Sequence, residues 1–231
     1  MIAVAVTYGL ILGAIHFFSD KLRTRRRIKP YRLISFAAGV SIAYLFLDLL
    51  PHTYKAAVHL KNFVFVFLLL GFVIIHVSEK FIYQHAERDR RARELKEIHS
   101  IVFFLYHFLV GLVLQDRIQD NLLEGTLFLV PITLHAGLST ASLAQIHGDI
   151  RESLAVKTWL SLSTCLGVIF SRLVSIPSMI DNISVSLISG VLLYVFVKEF
   201  LPEKEKGQPL FFLLGLLLFT AFYISLASLK T

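Results

Sequence analysis

Gly39-Val40-Ser41-Ile42-Ala43-Tyr44-Leu45-Phe46-Leu47-Asp48-Leu49-Leu50-Pro51-His52 decides how this chain is read, because its pattern occurs twice. The second copy starts at Gly190-Val191 and ends in Glu199-Phe200-Leu201-Pro202-Glu203. In both copies twelve positions separate the Gly from the Pro, an acid stands three before the Pro, and the run between is almost wholly apolar. An internal repeat inside two apolar stretches predicts two related helices in a membrane.

Composition agrees. The chain has 231 residues, 56% of them hydrophobic, with 20 Phe and a mean hydropathy of +0.71. That much apolar surface does not fit inside one soluble core, so lipid is the expected solvent. Stretches long enough to cross about 30 Å of hydrocarbon fall at Ile2–Phe18, Leu33–Leu50, Phe63–Tyr83, Ile101–Gln115, Thr126–Gln145, Leu154–Ser175, Ile183–Leu201 and Leu210–Leu229. The expected fold is therefore all-α: one integral membrane domain of eight transmembrane helices over residues 1–231. The first span lacks a basic segment before it and reads as an uncleaved helix. The single cysteine, Cys165, lies within the sixth span and excludes an intrachain disulfide.

Charge gives an expected orientation. Eighteen of the 23 Lys and Arg residues follow spans one, three, five and seven, beginning with the run Arg23 to Arg27. Because basic residues accumulate on the cytoplasmic side, both termini are expected outside, in a plasma or inner membrane. The net charge of +7 is then explained by the anionic inner leaflet, and no nucleic-acid partner is implied. The charged segment Gln84–Glu97 is expected to extend a helix beyond the membrane, with Glu87 and Arg91 paired at i, i+4. On this topology the two copies of the repeat cross the bilayer in opposite senses. That is the pattern of secondary transporters built from inverted repeats.

Ionisable groups at bilayer depth are costly and tend to mark a bundle interior or an aqueous path. His107 in the fourth span and His135 in the fifth are nearly central, and neutral imidazole is a common ligand for zinc and similar metals. His135, Ser139 and Ser142 share a helical face. So do His107 and Gly111, the glycine allowing another helix to come close. Gly9, Gly13, Gly71 and Gly215 carry the same expectation of close packing. In the second span Ser41, Tyr44, Asp48 and His52 form a polar stripe toward the outer surface, and Glu199 stands at the inner end of the seventh. Each histidine can equally serve as a hydrogen-bonding group across the bundle, and each acid as an interfacial anchor beside a proline. No Gly-rich phosphate loop with its lysine occurs, so ATP does not supply the driving force.

Phe36-Ala37-Ala38-Gly39-Val40 followed by Leu47-Asp48-Leu49-Leu50-Pro51 resembles the second span of the ZIP (Zrt- and Irt-like) metal transporters, and Gly190 to Glu203 resembles their seventh. Thr164-Cys165-Leu166-Gly167 is similar to the family's sixth-span Glu/Thr-Pro-Leu-Gly, with Cys165 in place of Pro. The resemblance implies eight spans in a 3+2+3 arrangement, spans one to three and six to eight forming inverted repeats around spans four and five. It implies a transporter rather than an enzyme, no resident cofactor, a divalent metal ion such as zinc as substrate, the lipid bilayer as surroundings, and a homodimer as an open option.

Carried over by register, the family's fourth-span His-Asn-x-x-Asp-Gly places Tyr106 at the His, His107 at the Asn, Val110 at the acid and Gly111 at the Gly. The fifth-span His-Glu-x-x-His-Glu places His135, Ala136, Ser139 and Thr140. His107 and His135 are then the implied metal ligands, with Tyr106, Ser139, Thr140, Thr164, Asp48 and Glu199 as supporting ligands or path residues. The central carboxylates of the family are absent. A divalent ion among neutral donors at low dielectric lacks charge compensation worth several kcal/mol or more. Two other classes therefore stay open: a non-transporting scaffold or sensor on this fold, and an intramembrane metal-dependent hydrolase using Asp48, His52, His107, His135, Ser139 and Ser142.

Overall fold

A computed structural model describes residues 1–25, 30–85, 88–147, 154–197 and 207–228. Every regular element among them is helical: α1 (Ile2–Arg25), α2 (Pro30–Tyr44), a π-helical turn (Leu45–Leu49), α3 (Leu50–Leu60), α4 (Phe63–His85), α5 (Arg88–Asp120), α6 (Leu122–His147), α7 (Leu154–Leu173), α8 (Ser178–Val195) and α9 (Pro209–Ser228). Among the described residues, each expected span overlaps a helix. Six described segments are long and apolar enough to cross a membrane: Tyr31–Val58, Phe63–His85, Ser100–Asp120, Leu154–Leu173, Ser178–Val195 and Pro209–Leu226. On α1 and α6 the apolar stretch is shorter, Ile2–Phe18 and Leu122–Leu134. The charged segment before span four belongs mainly to α5, which continues unbroken from Arg88 into the apolar stretch.

The apolar surface is turned outward. Leu69, Leu70, Val73, Ile74 and Val77 on α4 and Leu210, Leu213, Leu214, Leu217 and Leu218 on α9 are exposed at helical spacing. A continuous apolar exterior suits the hydrocarbon of a multi-pass membrane protein. Only 12% of the α4 span and 17% of the α9 span is buried, against 56% for the α5 span, so α5 is central and α4 and α9 are peripheral. The core gathers apolar side chains from α1, α2, the π turn, α5, α6, α7, α8 and α9. At its centre Tyr44 meets Phe128 and Phe219 edge to face, with ring centroids 6.2 and 5.9 Å away. Phe128 is 1% exposed. Phe128→Ala is expected to cost about 3 kcal/mol or more, the usual loss for a buried aromatic, read as a lowered midpoint in detergent unfolding.

Glycine sets the helix pairing, and it does so in matching pairs. A Cβ at Gly39 would overlap the Phe212 carbonyl of α9, and one at Gly215 would overlap the Phe36 carbonyl of α2. A Cβ at Gly190 would overlap the Leu68 carbonyl of α4, and one at Gly71 the Leu187 carbonyl of α8. Phe36 stands three residues before Gly39, and Leu187 three before Gly190. The α2–α9 contact thus repeats as the α8–α4 contact, residue for residue. The glycines of α1 do the same against α7, Gly9 meeting Cys165 and Gly13 meeting Ser161. Small residues let helix backbones approach closely where lipid supplies no hydrophobic drive.

The repeat has one further local consequence. Pro51 has no N–H to offer and its ring crowds the preceding turn. The helix accommodates it by widening: the Leu50 N–H bonds the Leu45 carbonyl, five residues back, and the π turn spans Leu45–Leu49. The chain continues helically through Pro51 instead of stopping. In the second copy π geometry begins at Phe196, six residues after Gly190, as Leu45 is six after Gly39.

Candidate functional site

α5 places its polar residues by simple periodicity. Val110, Val113, Leu114, Arg117 and Ile118 recur at three- and four-residue spacing and all are buried. Gly111 lets α5 meet α7 backbone to backbone, its position for a Cβ overlapping the Thr164 carbonyl and standing 2.9 Å from the Gly167 Cα. Thr164 is thereby held against α5, 1% exposed.

His107 is 3% exposed, one turn before Gly111. Its Nδ1 lies 3.1 Å from the Phe103 carbonyl oxygen. A carbonyl can only accept, so Nδ1 carries a proton. The ring stacks on Phe103 at 3.8 Å, and Phe103 packs in turn on His16 of α1 at 4.2 Å. Tyr106 is 5% exposed and meets His107 edge on at 4.9 Å. Tyr106, His107 and Thr164 are therefore all buried, Thr164 at the α5–α7 crossing. His135, Ser139 and Thr140 lie on α6, with their side chains outside the described residues, and Glu199 is likewise outside them. Among the described residues no group of three or more His, Cys, Asp or Glu is arranged to hold a metal. The serines of α8 turn to their own helix, Ser184, Ser186 and Ser189 each donating to the carbonyl four residues back at 2.8 Å. Such bonds satisfy hydroxyls inside an apolar helix.

The second polar centre lies where α5 ends and α6 begins. The π turn carries Asp48 beside the guanidinium of Arg117, with Nη1 3.5 Å from Asp48 Oδ2 and 3.8 Å from Glu124 Oε2. The Arg117 and Asp48 side chains are 6% and 15% exposed. A cavity of about 130 Å³ opens over them, lined also by Pro51, His52 and Lys55. Asp116 and Asp181 lie within electrostatic reach of the same guanidinium, which makes this end of the bundle acidic overall. The polar stripe expected on the second span is partly realised: Ser41 and Tyr44 are buried, and Asp48 and His52 line the cavity. Arg117 and Glu124 were not candidates from sequence. Arg117 counts there as one of the few basic residues on the outer side, yet its spacing from Val110, Val113 and Leu114 puts it on the buried face.

No known family model matches the chain, and no curated protein matches it significantly.

Proposed function

We propose that this chain is a ZIP-like secondary transporter carrying a divalent metal ion such as zinc toward the cytoplasm, with both termini outside. In this reading the eight helical segments form a 3+2+3 arrangement, and one repeat tilts against the other around α5 and α6. The observation that carries it is the reciprocity of the glycine contacts. Gly39 with Gly215 and Gly190 with Gly71 join equivalent helices through equivalent residues, which is what two inverted copies of one unit produce. The matching onset of π geometry at Leu45 and Phe196 supports the same relation.

The ion is held at mid-membrane by His107 and His135. The Nδ1–H bond to Phe103 orients the His107 ring and sets its tautomer for coordination through Nε2. Tyr106, Ser139, Thr140 and Thr164 complete the donor set or line the route, Asp48 serves the outer mouth, and Glu199 the inner. The membrane potential, the ion gradient or a coupled proton drives the movement. Purified chain in proteoliposomes is expected to take up zinc saturably, and His107→Ala to lower the rate at least ten-fold while the detergent melting point stays within a few degrees. Unchanged uptake in the folded variant would remove His107 from the mechanism.

A further inference from the structure

Asp48, read from sequence as a path residue on the stripe toward the outer surface, already has a cation beside it. Arg117 Nη1 sits 3.5 Å from Asp48 and 3.8 Å from Glu124, so one guanidinium ties the π turn of the second span to the end of α5 and the start of α6. Arg117 is 5% exposed, and its Nη2 is buried with no hydrogen-bond partner among the described residues. A charged donor left unsatisfied in a buried site is unfavourable there and is relieved when water or another acceptor reaches it. Below it on the same stripe Ser41 is 8% exposed, with its Oγ buried and without a hydrogen-bond partner among the described residues. The cavity above is partly open and polar, whereas Tyr44 and Ser41 beneath the ion pair are buried.

We infer that Arg117 is a tethered cation that closes the Asp48 end of the transport path, and that a permeating cation must displace it from Asp48 and Glu124 before passing. The inference rests on the reading of this stripe as a cation path, but the closure can be measured without transport. Arg117 occupies the place and the charge of an ion, so access requires exchange of one cation for another. The two carboxylates are then never left uncompensated. That suits a path lined by neutral donors deeper in.

The test is thiol accessibility in nanodiscs. In a Cys165→Ala background, Ser41→Cys reports whether a cationic methanethiosulfonate reagent can pass the ion pair. Labelling is expected to be slow in this parent and in Arg117→Lys, which keeps the charge. It is expected to be at least ten-fold faster in Arg117→Gln and in Asp48→Asn combined with Arg117→Gln. The combined variant leaves no unpaired charge at Asp48, so it carries the test if Arg117→Gln does not fold. Equal rates in all four proteins, or fast labelling in the parent, would overturn the closure. Zinc uptake in the same preparations separates the two ideas: the expected labelling pattern with no uptake in any variant upholds the closure and removes the transport reading.

Discussion

Gly190→Ala and Gly39→Ala should each destabilise the protein by about 3 kcal/mol or more, the upper end of what overpacking costs, and by similar amounts. At both sites the added methyl would meet backbone, the Leu68 carbonyl in one case and the Phe212 carbonyl in the other, and a backbone cannot rotate away. The two helices of each pair would have to separate, losing contacts along the whole crossing. Gly125→Ala is the comparison. There the methyl meets mainly the Ile118 side chain, which can change rotamer, and a loss nearer about 1 kcal/mol is expected. Equilibrium unfolding in detergent reads all three. Unequal losses at Gly39 and Gly190 would argue that the repeat in sequence is not a repeat in packing.

Removing the Arg117 side chain should have an effect of comparable size for a different reason. Arg117→Met takes away the guanidinium and leaves Asp48, a mostly buried carboxylate, beside Glu124 with no cation at this point of contact. Breaking a buried pair from one side costs about 3–5 kcal/mol, and the partial exposure of Glu124, 29%, moves the expectation to the lower part of that range. Adding Asp48→Asn to Arg117→Met should recover part of the loss, since the more buried of the two carboxylates is then neutral and only the partly exposed Glu124 keeps its charge. A double variant as unstable as the single one would show that Arg117 acts through its packing stem instead. The same experiment at raised salt should change little, because the pair is shielded from solvent ions.

Much of the architecture was legible in the sequence. Hydrophobic length predicted helices where the described residues form them, and the repeated Gly positions, Gly39 and Gly190, both stand at close helix crossings. The glycines expected to bring helices together do so, down to Gly111 against Thr164 and Gly167. The widened turn at Leu45–Leu49 was not legible, because a proline alone does not say whether a helix will end, kink or widen. Pro51 reads as a breaker, and the chain passes through it.

The candidate site was legible in part for a similar reason. His107 is as buried as its position in the fourth span suggested, but His16, near the end of the first apolar stretch, is also buried, 6% exposed, and packs against the same Phe103. Counting charges by side of the membrane treats Arg117 as a topological marker. Its periodicity with Val113, Leu114 and Ile118 shows a residue facing inward, where an arginine needs a partner. Pairing depends on which helices become neighbours, and one chain's sequence does not carry that directly. His135, Ser139, Thr140 and Glu199, the other half of the implied ligand set, rest on register with the ZIP pattern, their side chains lying outside the described residues.

Metal flux into proteoliposomes is the most direct test of the central claim, run with zinc, manganese, iron and copper(I) on the wild-type chain and on His107→Ala combined with His135→Ala. The account predicts saturable uptake of at least one metal by the wild type and its loss in the double variant. Folded wild-type protein that moves none of the four, or a double variant that transports as well as the wild type, would contradict it.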